Sequence, residues 1–125
     1  MARIATSIEE SKRLLELGIG KNTADMCHEW IGSDDVYSLR IGKCYDVLDI
    51  PAWSLGALII IISNIEPQRF SFVFCSDVDN WVGDFIEYGY GRKVTRMDDD
   101  LISLCVNMIQ GLVNEGYIKG KENKE

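Results

Sequence analysis

Hydrophobic positions recur along this chain first at helical spacing, then at strand spacing, and then the two alternate again. Ile8, Ser11, Leu14, Leu15 and Leu17 form one mostly apolar face, with Glu10, Lys12, Arg13 and Glu16 outside it. That pattern predicts a helix over about residues 7–17. Thr6 with Glu9, or Ser7 with Glu10, fits a capping box, and Gly18 supplies the stop. Residues 26–31 and 36–41 alternate and flank the turn signal Gly32–Asp35, which predicts a hairpin. Lys43–Ile50 reads as a connection with a short strand at Asp46–Leu48.

Asp49–Ser54 leads into a second helix, with Ser54 as its N-cap and Trp53 stapled to Leu58. Its body, Leu55–Ser63, is almost wholly apolar, so it is expected to be buried on nearly all sides. Periodicity alone allows a buried strand there, and the cap chemistry selects helix. Residues 69–75 and 81–89 form a second antiparallel pair around Ser76–Asn80, and Val94-Thr95 extends the ladder. Asp98–Asp100 opens a third helix with Leu101, Cys105, Met108 and Leu112 on one face, widened by Ile102, Ile109 and Val113. Gly116 ends it.

The order α-ββ-α-ββ-α predicts an α+β domain over residues 1–118. One antiparallel sheet of about four to five strands carries three helices, and 119–125 is a polar tail. Composition agrees with a globular chain: 46% of the 125 residues are hydrophobic and 26% are charged. Thirteen Lys and Arg against 20 Asp and Glu give a net charge of −7, which disfavours general nucleic-acid binding. The longest apolar run, Leu55–Ile62, falls short of the ~20 residues a bilayer requires. No secretory signal is visible at the start, so a cytoplasmic chain without a membrane partner is expected.

Cys27, Cys44, Cys75 and Cys105 contain no close pair, so neither a metal knuckle nor a redox motif is indicated. A disulfide framework is allowed by count. The missing signal argues for reduced thiols, with Cys75 and Cys105 buried.

Three stretches carry a resemblance. They are Ile4–Ile19 running on to Asn22-Thr23-Ala24-Asp25-Met26, then Ile50–Leu58 with its Pro-Ala-Trp-Ser-Leu core, and Gly111–Ile118. Together they resemble a family of small uncharacterised proteins from gut-bacterial and phage or mobile-element genomes. That family has no established activity, so the resemblance transfers no catalytic residue. It implies an intracellular accessory protein of mobile-element origin.

The only histidine, His28, lies between Cys27 and Glu29. Neighbours in a strand face opposite ways, so Cys27 and His28 cannot form a direct dyad. Counted from Asp77, a calcium loop would need Gly at Val82 and Glu at Tyr88, and fails at both. Gly89–Lys93 lacks phosphate-loop spacing. Tyr88, Tyr90, Arg92, Lys93 and Arg96 do interleave aromatics with cations. A guarded edge strand accounts for them more simply than single-strand nucleic-acid binding. Acidic groups at Asp34-Asp35, Asp46 with Asp49, Asp77 with Asp79 and Asp98–Asp100 fall at turns or a helix start, where carboxylates have structural roles. Trp30 and Trp81 are read as core ahead of an interface pair on a shared face.

No catalytic residue, metal ligand or cofactor is therefore assigned. The expectation is a small protein-binding or accessory protein without catalysis, partnered by another protein or by itself. Its candidate interaction residues are Trp30, Trp81, Tyr88, Tyr90, Arg92, Lys93 and Arg96. The alternatives are an enzyme assembled from scattered residues around His28, and a single-stranded nucleic-acid binder through Tyr88–Arg96.

Overall fold

Ser7 resolves the choice of cap. Its hydroxyl accepts the Glu10 amide at 3.1 Å while Glu10 accepts the Ser7 amide at 2.9 Å, and α1 runs Ile8–Glu16. Thr6 has another task. It is buried, its hydroxyl 2.7 Å from that of Ser11. The computed structural model describes residues 3–32 and 36–119. The expected turn at Ser33–Asp35 and the tail beyond Lys119 lie outside the described residues.

The chain is α+β, in the order α-βββ-α-βββ-α. Its strands are β1 (Met26–Trp30), β2 (Tyr37–Ile41), β3 (Ile50–Ala52), β4 (Phe70–Asp77), β5 (Asn80–Glu87) and β6 (Gly91–Asp98). The other helices are α2 (Leu55–Ser63) and α3 (Leu101–Asn114). The single sheet expected from the sequence is corrected to two antiparallel sheets, β2-β1-β3 and β4-β5-β6. Each half of the chain adds a third strand to its hairpin instead of joining one common sheet.

Asp46–Leu48 is a turn, not a strand, because Asp46 accepts the Leu48 amide at 3.0 Å and bends the backbone. The strand sits slightly later, at Ile50–Ala52, where Pro51 lies opposite Cys27. An edge strand tolerates a proline, since its outer side needs no ladder amide. The segment read as a helix lead-in is therefore sheet up to Ala52. Val94-Thr95 belongs to a full eight-residue strand. The β4–β5 connection shortens to Val78-Asp79, with Asp79 at φ +64.

The main core is a layer of α3 on the second sheet. Phe85 and Val94 face it from the sheet, and Leu14, Trp53, Leu58 and Ile62 close it from α1 and α2. Phe70 stacks on Phe85 with centroids 4.8 Å apart, and Tyr117 closes on both. α3 buries more than the stripe read from sequence, including Leu104 and Val106, because it is sandwiched between the second sheet and the other helices. α2 is helical, capped by Ser54 onto the Ala57 amide at 3.1 Å. It is not buried on nearly all sides: Ile60 is 60% exposed, because only the face with Ala57, Leu58 and Ile62 meets the core. A smaller cluster, Ala5, Met26 and Ala52, joins the first sheet to the chain's start.

Among the described residues no helix is long and apolar enough to cross a membrane.

Candidate functional site

Alternation along β1 and the register of its partners place Met26, His28 and Trp30 on one face with Ile41, Leu39 and Tyr37. Ile50 and Ala52 of β3 share that face. Its inner half is covered: Met26 and Ala52 pack on Ala5, and His28 Nε2 lies 2.8 Å from the Thr6 carbonyl oxygen. Its outer half is open. Trp30 and Leu39 are each 37% exposed and Ile41 is 83% exposed. None of these eight residues is an acid, a lysine or an arginine, in a chain of net charge −7. β2 is also an edge strand, with no strand on its far side among the described residues.

Trp30 is thus at the surface and not in the core. Trp81 is half-buried in β5 on the face shared with Gly83 and Phe85. The core reading is thus corrected for Trp30, and the two tryptophans belong to different sheets. Sequence reasoning singled out Trp30 but passed over Leu39 and Ile41. Their alternation was legible, but which half of the face stays open depends on where residues 5–6 cross it.

Tyr88 and Tyr90 stand exposed at the β5–β6 connection. The cations beside them have acidic partners. Arg92 Nε lies 3.5 Å from Asp84, and Lys93 Nζ lies 3.6 Å from Glu87 and 5.9 Å from the Tyr90 ring centre. Arg96 donates to the Thr95 carbonyl at 2.8 Å and lies beside Gly111 of α3. β6 is an edge, so these side chains guard it.

The opposite face of the first sheet carries Cys27, Glu29 and Arg40, with Glu29 and Arg40 paired at 3.3 Å. After β2 the chain turns at Gly42 (φ +111), whose amide donates to Asp25, and returns along this face. That return brings Cys44 to Cys27, and the two form a disulfide with 5.5 Å between Cα atoms. The expectation of reduced thiols is corrected for this pair. The 17-residue spacing hides a contact that the hairpin creates. Cys75 is corrected as well: it is exposed on the outer face of the second sheet. Cys105 is buried as expected, and burial, followed by the nearby Asp100 charge, pushes its thiol up to about 12.

Beside the disulfide, a cavity of about 350 Å³ is lined by Lys21, Lys43, Cys44, Tyr45, Asp46 and Asp49. Lys43 Nζ is tied to the Asn22 and Ala24 carbonyl oxygens at 2.6 and 2.8 Å. Asp49 accepts the Trp30 amide at 3.0 Å and the Asp46 amide at 3.3 Å. A scan against protein-family models finds none that matches this chain, and searches of curated proteins and of solved structures find no similar protein.

Proposed function

We propose that this chain is a small accessory protein that acts by binding protein rather than by catalysis, and that it pairs with a second copy of itself along β2. The observation that carries the reading is the β2 edge, with no strand on its far side among the described residues, beside half-buried Tyr37 and the exposed Trp30, Leu39 and Ile41. An open edge next to exposed apolar side chains is a template for strand addition. Two-fold antiparallel pairing centred on Leu39 sets Tyr37 against Ile41 and Ser38 against Arg40 of the other copy. That register opposes no two like charges, and it joins the two open apolar rows into one.

The rival readings gain less support. His28 is engaged with the Thr6 carbonyl oxygen and faces away from Cys27. Arg92 and Lys93 are answered by Asp84 and Glu87, which weakens an attraction to phosphates.

Sedimentation across a concentration series tests the proposal. A dimer is expected for the wild type, and Leu39→Lys, which sets two ammonium groups face to face at the axis, is expected to be a folded monomer with the wild-type far-ultraviolet circular dichroism. A wild type that stays monomeric throughout overturns self-pairing.

A further inference from the structure

The far side of the first sheet gathers three metal-type donors, Cys27 from β1 and Cys44 and Asp49 from the segment between β2 and β3. Cys27 Sγ, Cys44 Sγ and a carboxylate oxygen of Asp49 all lie within 4.8 Å of one another. We propose that this group is a zinc site whenever the Cys27–Cys44 disulfide is reduced, so that disulfide and zinc-thiolate are alternative states of one pair.

The chemistry balances with a small dithiol as reductant. The dithiol closes its own disulfide and delivers two electrons, the Cys27–Cys44 bond breaks, and each sulfur leaves as a thiol. Zinc then binds two thiolates and releases their two protons. Two thiolates and a carboxylate suit zinc, whereas calcium and magnesium require all-oxygen shells.

The geometry supports this at each ligand. In a tetrahedral zinc site with Zn–S near 2.3 Å, neighbouring sulfurs stand roughly 3.8 Å apart. The 5.5 Å between the Cα atoms of Cys27 and Cys44 accommodates that separation through side-chain rotation. Cys27 is fixed in β1, which both neighbouring strands brace. Asp49 is oriented in advance by the Trp30 and Asp46 amides, the kind of outer hydrogen bonding that holds a carboxylate ligand. Lys43, the nearest cation in sequence, is held by two carbonyl oxygens. The adjoining cavity is lined by Cys44 and Asp49 and leaves space for water as a fourth ligand.

This site is independent of β2 pairing, and the two are tested apart. The full chain is reduced with a dithiol, desalted under nitrogen, and titrated with cobalt(II) as a spectroscopic stand-in for zinc. The expected result is one cobalt per chain, with thiolate-to-cobalt charge transfer and tetrahedral d–d bands, displaced by one equivalent of zinc. The oxidised protein is expected to show neither band. Asp49→Asn, which keeps both thiols, is expected to weaken zinc binding by about tenfold or more. Reduced protein without thiolate–cobalt absorption overturns the proposal, and so does Asp49→Asn with wild-type affinity. If reduction alone unfolds the chain, zinc is expected to restore the far-ultraviolet circular dichroism, and failure to restore it overturns the proposal equally.

Discussion

Thr6 and Trp53 hold each other by two hydrogen bonds across 47 positions of sequence. The Thr6 amide donates to the Trp53 carbonyl at 2.9 Å, and the Trp53 amide donates to the Thr6 hydroxyl at 3.1 Å. The same hydroxyl lies 2.7 Å from that of buried Ser11. Together with the neighbouring Ala5–Ser54 bridge, this fastens the start of the chain along β3. Thr6→Val keeps the shape and deletes the oxygen, leaving the Trp53 amide without its acceptor. A loss of about 1–3 kcal/mol is expected in urea unfolding. Thr6→Ser, which keeps the hydroxyl, should lose clearly less.

Arg3 joins the starts of α1 and α3. Its guanidinium pairs with Glu10 of α1 and with Asp100, the cap of α3, and donates to Ser103 at 2.8 Å. Burial raises the Glu10 carboxyl, but Arg3 and the Ser7 amide outweigh it and hold the group at about 2 against an ordinary 4.5. Asp100 is also held below its ordinary value against burial, by Arg3 and the Ser103 amide. A depressed carboxyl binds its proton later in the folded state than in the unfolded one. Its stabilisation is therefore full above about pH 4.5 and disappears as pH falls towards 2. Arg3→Met should lower the melting temperature at pH 7 and flatten its decline over that window. An unchanged acid slope would show that Arg3 does not set it.

Gly83 sits beneath α3 with no room to spare. A β-carbon there would stand 2.7 Å from Leu104 Cδ2 and 3.2 Å from the Phe72 ring. Leu104 is fully buried and cannot swing aside. Gly83→Ala should therefore destabilise by about 1–3 kcal/mol. Gly111 offers a contrast, because its closest neighbour is the movable tip of Arg96. Val94 Cγ1 follows at 3.1 Å, but Gly111→Ala gains helix propensity of about 1 kcal/mol, so it should cost clearly less than Gly83→Ala. Thermal unfolding of the pair checks the ranking.

Cysteine labelling should separate three classes in one experiment. Cys75 is exposed and should react first with a thiol reagent in the native, unreduced protein. Cys105 should react only on unfolding, being buried with its thiol near 12. Cys27 and Cys44 should appear only after reduction. In metal-free buffer, Cys44→Ser should cost about 3 kcal/mol for a loop of this length. A second fast thiol in the unreduced protein would contradict the bridge.

The local signals in this sequence were dependable where one short stretch decides the outcome. Ser7 with Glu10, Ser54 and Asp100 all cap helices, and each is readable within four residues. The isoleucine run is a helix because its cap outweighs its ambiguous pattern. What failed depends on chain return. Ile50–Ala52 reads as a lead-in to α2, because Pro51 suits a strand only once β3 is known to be an edge. Cys44 has no local mark of pairing, since only the turn at Gly42 brings it back to Cys27. Trp30 is legible as aromatic, but its exposure is set by how far Ala5 and Thr6 extend over the sheet.

The two sheets are unequally anchored. α3 covers β5 and β6, while the first sheet meets the helices through β3 on α1. Opening β1 and β2 thus leaves the Phe70–Phe85 stack intact, so their amide protons will exchange through a local excursion. Those of β5 and α3 will exchange only when the whole chain unfolds. The Cys27–Cys44 cross-link lies in the weaker of these two cooperative units, so reducing it should speed exchange in β1 and β2 and leave that of α3 unchanged.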